Sequence, residues 1–321
     1  MHESTNMRSS RARWLLLLAA ALVGSLLWRS GTPLGRSLPN RPRRAVAFDS
    51  RGRRYTPVDP SSVCVIAADD RALDEVAGLA EDLSYYATTT AMQLLWAERH
   101  GYTYRRLRPT PLTDRSISWH RMPLMEQTIK ACEWTIFVDS DAFFQRLNMS
   151  LDDLRLRWGM HDGVSILWPA DSTQPEKSEH GLTRICFGFM IARRTPTTLK
   201  IMRDLWTCPD DIAGCEKYKL TSYHEQTAVQ QFILPSYREG EDWVAAPADE
   251  ADGWPHDPRY TWGDQPFHQQ DWNKLILIHA WGTSKVDLND VARRALFRET
   301  MLEMTERYEA DPRRTKVPGQ S

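Results

Sequence analysis

Asp139 and Asp141 close the stretch Trp134-Thr-Ile-Phe-Val-Asp-Ser-Asp, in which a strand-forming apolar run leads straight into two acids. Side chains alternate along a strand, so the pattern puts both carboxylates on one side and Ser140 on the other. Convergent carboxylates repel unless a cation lies between them or one keeps its proton. Oxygen donors of this kind suit a hard divalent ion such as Mg2+ or Mn2+, its shell completed by water and phosphate. Asp-x-Asp is also common in solvated turns; its place directly after an apolar run is what favours a site. A second run, Leu275-Ile-Leu-Ile, ends in His279 and continues Ala-Trp-Gly-Thr-Ser-Lys285. Neutral imidazole ligates metals, and a nitrogen donor tilts the choice toward Mn2+. Gly282 allows close backbone approach, and Lys285 can hold a phosphate as a point charge. Alone, His279 reads equally as a hydrogen-bonded core residue. Together, a cation site, a lysine and a loop at strand ends point to a diphosphate.

These residues need a scaffold that brings strand ends together. From Ser61 onward, short β-branched or aromatic runs (63–68, 102–107, 135–138, 164–168, 185–192) alternate with helical patterns near 86–100, 119–132 and 196–207. That alternation implies an α/β sandwich with a largely parallel sheet, whose ligands bind at the carboxyl ends of the strands. Further helices are expected at 223–233 and 288–308, with a late buried strand at 275–278. After the first strand, Ala67-Ala-Asp69-Asp-Arg71 occupies the loop that receives a base and ribose in nucleotide-binding sheets, although helix capping explains the same acids.

The chain has 321 residues, 26% charged and 41% hydrophobic, with five Cys. This excludes a wholly disordered chain, a multi-span membrane protein and a disulfide-dense miniprotein. Residues 1–13 carry +2 and residues 29–60 carry +6, so residues 61–321 stand at −9 against −1 for the whole chain. An acidic folded part argues against nucleic acid as partner. Residues 1–13 are expected to form a cytosolic tail. Trp14–Trp28 is an uncharged run between Arg13 and Arg29, read as a membrane signal-anchor with a cleaved signal peptide as the alternative. Residues 29–60 read as a disordered stem, 61–310 as the catalytic domain, and 311–321 as a disordered tail.

Several ordered blocks between residues 61 and 285 resemble glycosyltransferases of the GT-A fold, and within them glycosyltransferase family 34 and its fungal relatives. These blocks are SVCVIAA, WAERHGYTY, the segment from Trp119 to Lys130, FVDSDAFF, GFMIARR, the Cys208 to Cys215 loop followed by HEQTAVQQFI, and HAWGTSK. The resemblance implies a single Rossmann-like mixed sheet flanked by helices. It also implies transfer of galactose, mannose or xylose from a nucleotide-diphosphate sugar to a glycan, with retention of anomeric configuration. Asp139, Asp141 and His279 would hold Mn2+ (or Mg2+), and Ser140 and Lys285 would contact the donor with them. Ala67 and Asp69 would meet the nucleotide. Glu225 would stabilise an oxocarbenium-like transition state or attack it, and Gln226 would lie near the anomeric carbon. On physical grounds alone, Glu225 could simply favour a helix start. Relatives place Asn-Thr-Gly where this chain reads Cys186-Phe-Gly188, so Gly188 keeps room for a donor sugar while the polar contact of Asn is lost. That departure motivates a second reading, a membrane-tethered binding or scaffold protein with weak or no turnover. A two-carboxylate hydrolase is disfavoured, because acids adjacent on one strand suit one metal better than opposed acid and nucleophile. The resemblance further implies a type II membrane protein of the Golgi or endoplasmic reticulum with a lumenal domain, with room for a complex with other glycosyltransferases.

Cys208 and Cys215 enclose a short loop and are expected to close as a surface disulfide. Cys64, Cys132 and Cys186 lie in apolar runs and read as buried thiols. Asn148-Met-Ser150 is a glycosylation sequon. Eleven of the thirteen Trp follow residue 60; in the irregular segment 250–268, a lid candidate, Trp254 and Trp262 could line an acceptor groove.

Overall fold

The first ordered piece of chain is a hairpin, β1 (Ala47–Phe48) and β2 (Arg54–Tyr55), turned at Gly52, whose φ of 73° suits a residue without Cβ. The structure, a computed structural model, describes residues 45–71, 85–174, 176–221, 224–253, 261–262, 265–266, 274–280 and 288–309. The hairpin corrects part of the expected stem. Thr56 donates from its N–H and its hydroxyl to Asp162, the Val58 N–H donates to Asp152, and Tyr55 is buried. Residues 45–60 therefore wrap the domain, and the earlier segments, including 14–28, lie outside the described residues. Among the described residues no helix is long and apolar enough to cross a membrane.

β3 (Val63–Ala68) is the first strand of the central sheet, followed by α1 (Tyr85–His100) and β4 (Thr103–Leu107). Next come α2 (Ile117–His120), α3 (Met122–Ala131), β5 (Trp134–Val138), the short β6 (Ala142–Phe144) and α4 (Leu151–Arg157). Then follow β7 (Ile166–Pro169), β8 (Phe189–Arg193), α5 (Pro196–Asp211), α6 (His224–Ala228), β9 (Trp243–Ala246) and α7 (Ala248–Ala251). A two-residue ribbon, β10 (Thr261–Trp262) with β11 (Gln265–Pro266), precedes β12 (Leu277–His279) and the closing helix α8 (Leu288–Glu309).

The six-stranded sheet has the order β4-β3-β5-β8-β7-β9. β3 is parallel to β4 and β5, and β7 to β9, while β8 runs antiparallel to both its neighbours. The largely parallel sheet read from the sequence is thus a mixed one in which β8 alone is reversed. Alternation along each strand feeds two cores. Val63, Val65, Ile136 and Val138 join one cluster with Trp96 and Trp134; Ile66 and Phe137 join the other with Trp119, Met122 and Ile129. Burying each such large side chain stabilises the fold by about 1.5–3 kcal/mol.

The cysteines depart from the sequence reading. Cys64 on β3 and Cys132, which caps α3, form a disulfide rather than two buried thiols. Both lie on the same flank of the sheet, an arrangement that 68 residues of separation conceal. Cys208 and Cys215 are bridged as expected, but the pair is buried rather than at the surface. Cys186 is the free cysteine. The helix expected over 223–233 is a composite: α6 widens into a π-helical turn at Val229–Ile233.

Candidate active site at the sheet's carboxyl edge

β5 delivers Asp139 and Asp141 to the carboxyl edge, and β6 carries the chain straight on to meet β12. That antiparallel pair sets His279 opposite Ala142, and the Ala280 N–H donates to the Asp141 carbonyl. Ligand atoms of Asp139, Asp141 and His279 consequently lie within 4.8 Å of one another. Nε2 of His279 is 3.5 Å from Asp141 Oδ1, and its Nδ1–H donates to Asp252 at 2.8 Å. Asp252 in turn accepts from the Ser172 N–H and hydroxyl. A carboxylate on Nδ1 fixes the ring tautomer and leaves Nε2 as the ligating nitrogen. Burial opposes a charge on His279, but Cys186, Asp141 and Asp252 around it outweigh burial and raise its pKa well above the ordinary value.

The reversal of β8 matters here, because it brings that strand's start beside the end of β5. Asp139 N–H donates to the Gly188 carbonyl. A Cβ at residue 188 would lie 2.2 Å from Cε1 of His279, so the space the sequence reading reserved for a donor sugar is filled by the imidazole. Cys186 faces the same ring, with Sγ 3.5 Å from Nδ1. Burial pushes its thiol up to about 12, with Asp252 adding to the shift and His279 opposing it.

Arg121, at the junction of α2 and α3, was not singled out from the sequence. Its guanidinium donates to Asp139 at 2.8 Å and to Glu225 at 2.5 Å, and lies over the rings of Phe137 and Phe187. Burial works against its charge, but the two acids outweigh burial and raise its pKa. Glu225, 3% exposed, is therefore the buried half of an ion pair rather than a free helix-start acid. Gln226 accepts from the Phe187 N–H and donates to Asp171. Asp171 was also missed; burial raises its pKa despite hydrogen bonds from Thr173. Beside these residues opens a small, open polar depression lined by Asp171, Gln174, Arg184, Gln226 and Gln230.

A glycosyltransferase involved in glycosylating the major capsid of PBCV-1 shares this architecture at a TM-score of 0.50 and 14% identity, covering 72% of this chain and 98% of that one. The fold is a GT-A glycosyltransferase fold. A crystal structure of the galactosyltransferase LgtC with donor and acceptor sugar analogues aligns with a TM-score of 0.42 and 13% identity, covering 72% of this chain and 95% of its own. No family model and no curated protein matches the sequence.

Within the GT-A fold the nucleotide candidates fall unevenly. Asp69 is buried and paired with Arg71 and Arg106, which hold its carboxyl below the usual range although burial alone would raise it. Arg71 also donates to Ser140 Oγ, and Thr89 to the Ser140 carbonyl, so the first loop is tied to the Asp139–Asp141 turn. Gln93 on α1 braces the same turn through the carbonyls of Asp139 and Ala142. Ala67 sits inside β3 and is 3% exposed. Asn148 is exposed before α4. Lys285, Trp254 and the side chain of Trp262 lie outside the described residues.

Proposed function

We propose that the chain is a metal-dependent glycosyltransferase. It moves a hexose or pentose from a nucleotide-diphosphate sugar to a glycan acceptor with retention of configuration, in the manner of glycosyltransferase family 34. The observation that carries this reading is the convergence of Asp139, Asp141 and His279 from two separate stretches of chain. Two carboxylates and an imidazole whose Nδ1 is held by Asp252 form a donor set that fits Mn2+ or Mg2+, with nitrogen favouring Mn2+. When bound, such an ion neutralises charge on the departing diphosphate.

The chain's own residues do the rest. Arg121 compensates Asp139 and Glu225 at once, keeping two acids close without mutual repulsion. Glu225 supplies a fixed negative charge where positive charge develops at the anomeric centre. Gln226, anchored on Phe187 and Asp171, orients the sugar between donor site and polar depression, which suits hydroxyl-rich acceptors. Lys285 contacts the phosphates. The enzyme resides in the Golgi or endoplasmic reticulum membrane as a type II protein through residues 14–28, with its domain in the lumen. Two disulfides support that reading, since they persist in oxidising compartments.

Cys186 favours a second reading, because its thiol faces His279 instead of offering a donor the amide of an Asn. The chain would then be a tethered binding protein. The test is to incubate it with Mn2+ and a panel of nucleotide sugars and measure released nucleotide. Turnover lost with EDTA and in Asp139→Asn supports the enzyme; donor binding without turnover across many acceptors supports the tethered protein.

A further inference from the structure

Behind the His279 ring lies a second group of donors. Sγ of Cys186 is 3.5 Å from Nδ1 and Oδ1 of Asp252 is 2.8 Å from it, and all three ligand atoms fall within 4.8 Å of one another. The three residues are 7%, 1% and 7% exposed.

We propose that Cys186, Asp252 and Nδ1 of His279 form a second metal site, selective for a thiophilic ion of the zinc type, whose occupation antagonises the hard ion on the Asp139–Asp141 face. Tetrahedral zinc with Zn–N about 2.0 Å and Zn–S about 2.3 Å sets sulfur and nitrogen about 3.5 Å apart, which is the spacing of Sγ and Nδ1. The Asp252 carboxylate has to draw back from Nδ1 by roughly half an ångström to complete the same tetrahedron, and water takes the fourth position. Mg2+ and Mn2+ prefer oxygen and gain little from a thiolate, so the two faces of the ring sort ions by softness.

The antagonism follows from proton bookkeeping on the ring. His279 ligates an ion only through a ring nitrogen that bears no proton, and a neutral imidazole has one such nitrogen. An ion on Nδ1 leaves the ring's one remaining proton on Nε2, while the Cys186 thiol releases its own proton to solvent as sulfur binds the ion. Nε2–H then faces Asp141 as a donor and no longer ligates. The soft site stands on its own geometry; the antagonism rests on the proposed metal role of the two-acid face.

Co2+ reports on both points when titrated into the full-length chain as an optical stand-in for zinc. The expected result is a thiolate-to-cobalt charge-transfer band that Zn2+ displaces and that is absent in Cys186→Ser and Cys186→Ala. Cys186 is the free thiol among five cysteines, the other four being paired, so the band has one source. No band, or a band that survives in Cys186→Ser, overturns the site. Mn2+ binding followed by electron paramagnetic resonance tests the coupling. Zn2+ should weaken apparent Mn2+ affinity on the order of tenfold in the wild type and leave it unchanged in Cys186→Ser. Equal competition in both proteins puts zinc on the two-acid face and overturns the antagonism. A cobalt band without any Mn2+ binding overturns the antagonism together with the reading it rests on, and supports the soft site alone.

Discussion

A hydrogen where other residues carry a methyl group lets the metal face assemble. The missing Cβ of Gly188 would fall 2.2 Å from Cε1, 2.5 Å from Nε2 and 2.6 Å from Nδ1 of His279. The ring cannot step aside, since Asp252 holds Nδ1 and Cys186 packs beside it. Gly188→Ala is therefore expected to cost about 1–3 kcal/mol of stability by overpacking, measured by urea unfolding. It should also weaken Mn2+ binding by roughly 10–100-fold, as disturbed outer-shell support does, measured by titration. Unchanged Mn2+ affinity in a folded variant would sink this account of Gly188. The same residues show what a sequence can and cannot disclose. Asp139, Asp141 and His279 were legible because each follows an apolar run that marks a strand end. Arg121 and Asp252 were not. Arg121 sits in a polar turn between two short helices, and Asp252 belongs to Ala-Asp-Glu-Ala-Asp-Gly, which reads as solvated helix and turn. Their meaning lies in distant partners, and no local spacing records those.

Elements were readable in type, since short apolar runs and helical patterns locate β3, β5, β8, α1 and α5, but strand direction was not. β8 has the same buried apolar texture as β5, against which it runs antiparallel. Only the pairing Val138 with Phe189 reveals that it runs the other way and so presents Gly188 to Asp139. The hairpin at 45–60 was missed for a different reason: it is held by polar contacts rather than by apolar periodicity. Asp162 is its clasp, accepting from Thr56 and from Arg155, whose side chain is 1% exposed. Burial would raise the Asp162 pKa, but Thr56 and Arg155 outweigh it and hold the carboxyl below its ordinary range. A depressed carboxylate stabilises fully above its unfolded value and loses that contribution as pH falls through the folded one. The hairpin should accordingly stay protected from hydrogen exchange at neutral pH and open only below about pH 4. Asp162→Ala should open it at neutral pH, with faster tryptic cleavage at Arg51, Arg53 and Arg54. The variant also deprives buried Arg155 of a partner, at a cost on the order of 3 kcal/mol. Cleavage no faster than wild type would show that other contacts hold the segment.

At the scale of the whole molecule, the sheet is stapled to one flanking helix by a covalent bond as well as by its two cores. Cys64–Cys132 joins the strand next to β5 to the helix that carries Arg121 at its start, so the bridge bears on the site through α3. Spacing hid it, because cysteines in apolar runs read as packed thiols and the partner lies 68 residues away. Closing a loop of that length restricts the unfolded chain by about 4 kcal/mol, whereas the short Cys208–Cys215 loop contributes about 2.5 kcal/mol on the same reckoning. A domain of ordinary stability, about 5–15 kcal/mol, would lose a large share of it on losing the longer bridge. Cys64→Ser with Cys132→Ser should thus lower the urea midpoint well beyond what Cys208→Ser with Cys215→Ser does. Alkylation of the unfolded, unreduced protein should label Cys186 alone, with the other four labelled after reduction. Equal losses for the two pairs, or labelling at Cys64 before reduction, would remove the longer bridge from the account. The ranking also bears on where the chain can work: a protein that draws this much of its stability from two disulfides folds poorly where glutathione keeps thiols reduced. Expression with and without export to an oxidising compartment should therefore separate a stable, Mn2+-binding product from an unstable one.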